Sequence, residues 1–480
     1  MELRVTLLLF ISTFVFARAQ QSTGLLFDDD AYGKTPLKAK NVAFQDVVTE
    51  FSSASLKQFV PKVGDQEGYS TCVGWASAYY ARTILEARVT NNLNTNSITE
   101  GTFSPVFTYL NSNVENDYNC QQGAFIGRAM ETMVEKGVPY YKDFNVMCET
   151  KIPENLYEQA EQFKIKDFAR IFGSDEEIDF KVDGVKRSLL NGNPVVIGFM
   201  VDNSFHSAKN VYVPDELGST GGHAMCVIGF DDDKYGGSFE IVNSWGEGWG
   251  NEGYIWIKYA DFAKQTRYAF EMIPMQSKPL EKKVLAGEVD FVLRNNSPMK
   301  VFNAEGEYSG SVFSAQEVVI EEEESIGDYV TEESYPIDTR YRMVTKVNQP
   351  AYVYVFGMDS DNEFSPLFPL ADSISPFINS SKSEVILPPA PPGKRAYARL
   401  SKDVDKEYTI VVFSMEKLDL GKIGEQLTQM EGTLLDKLYV IFEDELIPKD
   451  TMTMGKDKMS FSAEFDQGSL ALMILDIKRS

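Results

Sequence analysis

Histidine occurs twice and cysteine four times in 480 residues, and neither occurs beyond residue 226. The C-terminal half therefore lacks the commonest soft metal ligands and the thiol and imidazole groups of nucleophilic catalysis. Basic side chains are outnumbered 46 to 71, for a net charge of −25. That balance argues against a phosphate-backbone partner, which needs basic patches, and it favours solubility. No metal-ligand spacing, phosphate loop, basic stripe or internal repeat is present, and no segment after the N-terminal sixteen residues reads as a membrane span. Asp231-Asp232-Asp233 lacks the ligand spacing of a dedicated calcium loop and reads as a solvated turn.

What is present describes globular domains. Apolar residues make up 43% and aromatics 12%, too rich for a disordered chain. The length exceeds one ordinary core, so more than one domain is expected. Arg4 precedes an apolar stretch, Val5 to Phe16, and Ala17-Arg18-Ala19 offers a small-x-small cleavage site. This reads as a secretory signal peptide over residues 1–19, with a mature chain from Gln20 that is secreted or periplasmic. In such a compartment cysteines pair. If Cys72 stays free, Cys120 and Cys148 form the natural pair, with Cys226 a buried thiol in an apolar run.

Residues 20–59 form a lead-in. Helices are expected from about Val73 to Val89, over Ile126–Lys136 with Gly137 as stop, and over Ile178–Asn191 with Gly192 as stop. Strands follow at Val195–Val201, Ala224–Phe230, Ser238–Asn243 and Gly253–Tyr259. Helices first and strands second indicate an α+β domain of two lobes, placed at 60–275. Polar residues and Pro279 mark a linker at 276–284. A β-rich, sandwich-like accessory domain is expected at 285–480, with strands at Val289–Leu293, Tyr341–Val347, Ala351–Phe356 and Glu407–Phe413. One amphipathic helix is expected at about Leu420–Leu438.

The chemistry concentrates in three stretches. His223 lies in Gly221-Gly222-His223-Ala224, Asn243 in Asn243-Ser244-Trp245-Gly246, and Cys72 follows Gln66 by six positions. A cysteine opening a helix has its thiolate stabilised by the helix dipole and by a nearby imidazolium. An imidazole can take the thiol proton and return it to a leaving amine. Asn243 can orient that ring without adding charge, under cover of Trp245. Gln66 and the Cys72 N–H can serve a developing oxyanion. Each residue alone has an ordinary reading: a packed core histidine, a turn asparagine, a surface glutamine, a buried helix cysteine.

Taken together, Gln-x5-Cys, Gly-Gly-His-Ala and Asn243-Ser244-Trp245-Gly246 with Trp249, Gly250, Gly253 and Tyr254 resemble the papain-like cysteine peptidases over roughly Val60–Met272. The resemblance implies a two-lobed papain-like fold, with Cys72 on a helical lobe facing His223 and Asn243 on a β lobe. It also implies a protein or peptide substrate in the cleft between, and no cofactor or metal. Cys120-Gln121-Gln122-Gly123 is similar to the family's Cys-x-Gly-Gly. Gln122 and Gly123 would then line the substrate cleft with Gly222 and Trp245. Departures are Val73 where tryptophan is usual, Tyr69 where a bridging cysteine is usual, and Gln122 in place of a glycine. The lead-in is too short for the long helical inhibitory propeptide common in the family. Asp202–Thr220 reads as a surface loop or as a lid. Tyr341–Val347, Pro350–Phe356 and Ser365–Pro369 resemble a β-rich domain found beside bacterial peptidases and kinases. A catalytically inactive papain-fold binding protein and an acyl transferase with the same thiol chemistry are the alternatives to a peptidase.

Overall fold

The computed structural model describes residues 21–38, 51–148, 151–215, 218–275, 282–304, 326–378, 384–390, 395–400, 404 and 406–480. The expected signal peptide and most of the expected linker lie outside these residues.

The helical lobe is built around one continuous helical stretch. It begins as an α-helix at Cys72–Gly74, continues as a π-helix over Trp75–Arg82 and returns to α-helix at Thr83–Val89. Its N-terminal half is wholly buried, which the small residues Gly74, Ala76, Ser77, Ala78 and Ala81 permit. A Cβ on Gly74 would stand 2.1 Å from the Pro105 carbonyl oxygen, so glycine sets the approach of the helix Pro105–Ser112. The helix Ile126–Glu135 completes the packing and ends where Gly137 takes a φ of +75°, as its stop signal required.

The β lobe is one twisted sheet. Its strands are β1 (Leu37–Lys38), β2 (Ser53–Ser55), β3 (Ile165–Arg170), β4 (Val195–Val201), β5 (Val211–Tyr212), β6 (Gly221–Asp231), β7 (Ser238–Val242), β8 (Tyr254–Lys258) and β9 (Thr266–Pro274). The order runs β1-β3-β9-β4-β6-β7-β8-β5, with β2 paired to β6. β4 and β7 are almost entirely buried. A strand covered on both faces reads as a continuous apolar run, and Val195–Val201 has the bounds expected of it. The helix Ile178–Leu190 packs beside this sheet and stops before Gly192, at φ +79°. The long central helix lies against β6 and β4.

Beyond residue 282 two antiparallel-rich sheets face each other. One contains Lys283–Leu293, Arg340–Val347 and Met459–Phe465; the other contains Ala351–Asp359, Glu407–Ser414 and Leu470–Ile477. Phe413 and Phe461 meet across the gap at 5.3 Å, and a Cβ on Gly287 would lie 2.4 Å from the Phe413 ring. Val353 and Val355 point into this core, while Tyr352, Tyr354 and Phe356 point to a second core under two helices. The run Ala351-Tyr352-Val353-Tyr354-Val355-Phe356 is thus buried on both faces. The strand Lys283–Leu293 begins inside the segment expected to be linker.

The single helix expected at Leu420–Leu438 is two helices, Leu420–Gln429 and Leu434–Phe442. Gly432 at φ +114° breaks the path. Thr433 and Asp436 then close a capping box on the second helix, a local arrangement that starts a helix rather than continues one.

Candidate active site

Cys72 sits at the helix start and His223 on β6, both with 0% exposure. The Cys72 Sγ accepts a hydrogen bond from the Ala224 N–H at 3.4 Å, so the thiol lies beside the residue that follows His223. Asn243, at the end of β7, places Oδ1 2.7 Å from His223 Nε2. The same oxygen accepts the Ser244 N–H at 2.8 Å, which holds the amide plane. His223 Nδ1 has no hydrogen-bond partner among the described residues. It is the nitrogen left for a thiol, although the two do not bond in this state. Trp245 stacks on the His223 ring at 4.5 Å and covers the His223–Asn243 pair from water.

Gln66 is fully buried. Its Oε1 accepts from the Ser244 hydroxyl at 2.7 Å, and its Nε2 donates to the carbonyl oxygens of Ser22, at 2.9 Å, and Tyr69, at 2.8 Å. The indole Nε1 of Trp245 donates to the same Ser22 oxygen at 3.0 Å. A carbonyl oxygen of the N-terminal segment therefore already sits on the Gln66 amide, one of the two donors that sequence reasoning reserved for an oxyanion.

The rest of that segment lies along the cleft as an extended strap. Gly24 and Leu25 donate their N–H groups to the Gly222 carbonyl at 3.3 and 3.1 Å, and Leu26 donates to the Ala124 carbonyl at 2.9 Å. Ala124 returns a bond to the Gly24 carbonyl at 2.8 Å. Gly123, at φ +90°, leaves room for it, since a Cβ there would stand 2.3 Å from the Gly24 oxygen. Gly222 is constrained the same way by the Leu25 oxygen, at 2.6 Å. Gly198 on β4 clears space for the side chains of Leu25 and Phe27. The expected cleft residues Gly123, Gly222 and Trp245 thus converge on one extended backbone. Gln122 stands at the rim, its N–H bonded to Asp117 Oδ2 at 3.3 Å.

The strap is anchored downstream. Asp28 caps the short helix Asp29–Lys34, whose Tyr32 is buried, stacks on Tyr268 at 4.1 Å and donates to the Phe172 carbonyl at 2.7 Å. Sequence reasoning expected no long helical propeptide, and closure here comes from a short extended stretch instead.

Burial dominates the electrostatics of the pair. The helix start and a neighbouring imidazolium were expected to lower the Cys72 pKa. Burial outweighs them and pushes the thiol up to about 12, against opposing N–H groups of Ala224, Val73 and Cys72 itself. Burial likewise depresses His223 to about 4, opposed by its bond to Asn243 and reinforced by His206. Under the strap the pair is a neutral thiol and a neutral imidazole.

Cys120 and Cys148 are joined by a disulfide, and Cys226 is a buried free thiol. The Cys120 carbonyl accepts the Ser70 N–H at 2.7 Å, tying the bridged loop to the turn before Cys72. Sequence reasoning missed His206. It ends the short helix Asn203–His206 inside the expected loop and stacks on Trp245 at 5.1 Å. Its scarcity, as one of two histidines, was the available signal.

Residues 57–272 match the family model described as papain family cysteine protease. An uncharacterised peptidase C1-like protein of Acanthamoeba polyphaga mimivirus is 33% identical over 208 residues, covering 41% of this chain and 63% of its own length. Cathepsin B-like CP3 of Giardia intestinalis is 26% identical over 211 residues, covering 41% of this chain and 64% of its own. The chain thus spans less than two thirds of the length of these curated relatives. Among solved structures, xylellain, a cysteine protease from Xylella fastidiosa, superposes with a TM-score of 0.44 at 23% identity. It covers 55% of this chain and 100% of its own. Digestive procathepsin L 3 of Tenebrio molitor larval midgut gives 0.39 at 15% identity, covering 51% of this chain and 77% of its own. Residues 57–272 form a papain-family cysteine protease domain.

Proposed function

We propose that this chain is a secreted or periplasmic cysteine peptidase that hydrolyses peptide bonds at Cys72. In this reading His223 takes the thiol proton as Sγ attacks the scissile carbonyl carbon. The oxyanion is held by Gln66 Nε2 and the Cys72 N–H. The intermediate collapses by expelling the amine, which leaves with the proton held on His223, and an acyl thioester remains on Cys72. Water, deprotonated by His223, then attacks the thioester and releases the acid and the free thiol. Asn243 keeps the ring oriented through both proton transfers. Residues 285–480 act as an accessory domain that contributes no reacting group.

The observation that carries this reading is the strap. The cleft between Gly123, Gly222 and Trp245 is already shaped to a peptide backbone, and a peptide carbonyl sits on Gln66. The test is intact-mass labelling of the mature protein with an epoxysuccinyl thiol-peptidase inhibitor, with Cys72→Ala and His223→Ala controls. One adduct, lost in both variants, supports the peptidase.

Full burial of Cys72 and His223 under the strap favours a second reading, a papain-fold binding protein that does not turn over. Absence of an adduct even after the strap is displaced would select it.

A further inference from the structure

Trp245 carries two imidazoles. His223 stacks on its indole at 4.5 Å with 28° between planes, and His206 at 5.1 Å with 8°. These are the only two histidines in the chain. We propose that His206 is a positioning residue of the candidate active site, one that holds Trp245 on His223 and transmits its own charge to that ring. The proposal rests on the reading of His223 as the proton carrier.

His206 sits on a rigid mount. Asp202, itself 1% exposed, caps its helix by accepting the Phe205 N–H at 3.1 Å. Asp202 also accepts from Ser204, Tyr212 and the Asp215 N–H at 2.7–2.8 Å. Phe205 is wholly buried against Trp245 and Trp249, and its carbonyl accepts the Trp249 Nε1–H at 3.1 Å. The backbone that presents His206 is therefore fixed from both sides, and its ring limits where the indole can sit. That ring is only half-buried, so protons reach it.

The charged and titratable groups around it are few. Asp202 lies at the start of its own helix, with Tyr212 and Asp215 bonded to that carboxylate. Lys209 directs its ammonium to the carbonyls of Gly248 and Gly250, at 3.3 and 3.1 Å. Glu247 is exposed in the loop between Trp245 and Trp249. His223 lies against the same indole. Burial lowers the His206 pKa and Asp202 opposes this, so His206 is neutral at neutral pH. As pH falls it gains a proton, and a cation there disfavours a second cation on His223. Charging His206 thus withdraws the imidazolium that accompanies the reactive thiolate, while its attraction to the indole face holds the stack.

The measurement is the pH dependence of Cys72 alkylation by iodoacetamide in the full chain. It is followed by peptide mapping so that Cys226 is counted separately, with peptide hydrolysis measured alongside. His206→Phe keeps a ring on Trp245 but cannot charge, and its acid limb should move down by about half a pH unit. His206→Ala loses the ring as well, and should slow alkylation several-fold at every pH. His206→Phe should retain more of the neutral-pH rate than His206→Ala. Superimposable acid limbs for wild type and His206→Phe would overturn the charge coupling, and equal rates for His206→Ala and wild type would overturn the positioning role. A chain that alkylates with this pH pattern but hydrolyses no peptide would refute the peptidase reading and uphold His206.

Discussion

The Ser22 carbonyl oxygen and the Gln66 side-chain amide are 2.9 Å apart, and both side-chain N–H directions of Gln66 are occupied. No substrate carbonyl reaches this amide until Ser22 leaves. Reactivity of Cys72 is therefore set first by whether the strap is seated, and only then by the chemistry beneath it.

Gly24 is the weak point of the strap. A Cβ there would stand 2.1 Å from the Ser70 carbonyl oxygen, a backbone atom. Gly24→Ala should lift the strap without disturbing the Tyr32 anchor. Cys72 alkylation in this variant should rise at least about tenfold, since water re-enters and the thiolate is no longer desolvated. The midpoint of thermal unfolding should change little. Equal alkylation rates in wild type and variant would show that the strap does not gate the thiol.

Asn243→Ala removes the acceptor that holds His223 Nε2 at 2.7 Å. The ring then has no fixed tautomer or plane, and the imidazolium loses a hydrogen bond worth about 1.5–3 kcal/mol. Peptide hydrolysis should fall about 10–100-fold in kcat/KM, with a smaller change in KM. A loss confined to KM would mean that Asn243 acts on binding rather than on the imidazole.

The depressed His223 also makes stability depend on pH. Its folded pKa is about 4, against about 6.5 for a free histidine. The unfolded chain therefore binds the proton first. The contribution is fully present above pH about 6.5, and is lost as pH falls towards 4, by about 3 kcal/mol in total. Urea midpoints compared between wild type and His223→Gln across pH 4–7 isolate this contribution from that of the carboxylates. A difference that stays constant with pH would mean that the strap opens on acidification and the ring titrates in water.

Most of the candidate site was legible because its chemistry uses rare residue types with distinctive neighbours. His223 and Cys72 had few competitors in the chain, and Asn243 came with Trp245. Val195–Val201 was legible because burial on both faces leaves an uninterrupted apolar run. The strap was not. Its contacts are main-chain bonds from residues 22–26 to Gln66, Ala124, Gly222 and Trp245, and no local period encodes them. The break at Gly432 was hidden by an apolar pattern that both helices share, although Thr433-x-x-Asp436 was a start signal. His206 was hidden because a four-residue helix leaves no periodic trace.

The disulfide should act on both stability and the cleft rim. It closes a loop with a sequence separation of 28, and such loops contribute about 2–4 kcal/mol. Cys148→Ser should lower the unfolding midpoint of the N-terminal region, and reductant should lower the wild type to the same value. Because the Cys120 carbonyl holds the Ser70 N–H, Cys72 alkylation should also speed up in the variant. A midpoint insensitive to reductant would mean that the bridge adds nothing to the fold.

The regions before and after residue 282 are joined by more than a linker. A flexible linker would let residues before and after 282 unfold independently. The contacts argue otherwise. β1 pairs on one side with β3 and on the other with the strand Ile374–Ser375, in parallel register Leu37↔Ile374 and Lys38↔Ser375. Asp167 on β3 takes an ion pair from Lys417 at 2.7 Å and a bond from the Tyr352 hydroxyl at 3.5 Å. Ile273, at the end of β9, is buried in the second core of the C-terminal region. Such a seam includes main-chain pairing and apolar burial, which screening by salt does not remove. A chain ending at residue 275 should therefore unfold several degrees below the N-terminal transition of the full chain. Lys417→Ala, which removes only a half-exposed partner, should cost less than about 1 kcal/mol. Equal midpoints for the truncated and full chains would mean that the seam carries no stability, and that the C-terminal region is a passenger of the peptidase domain.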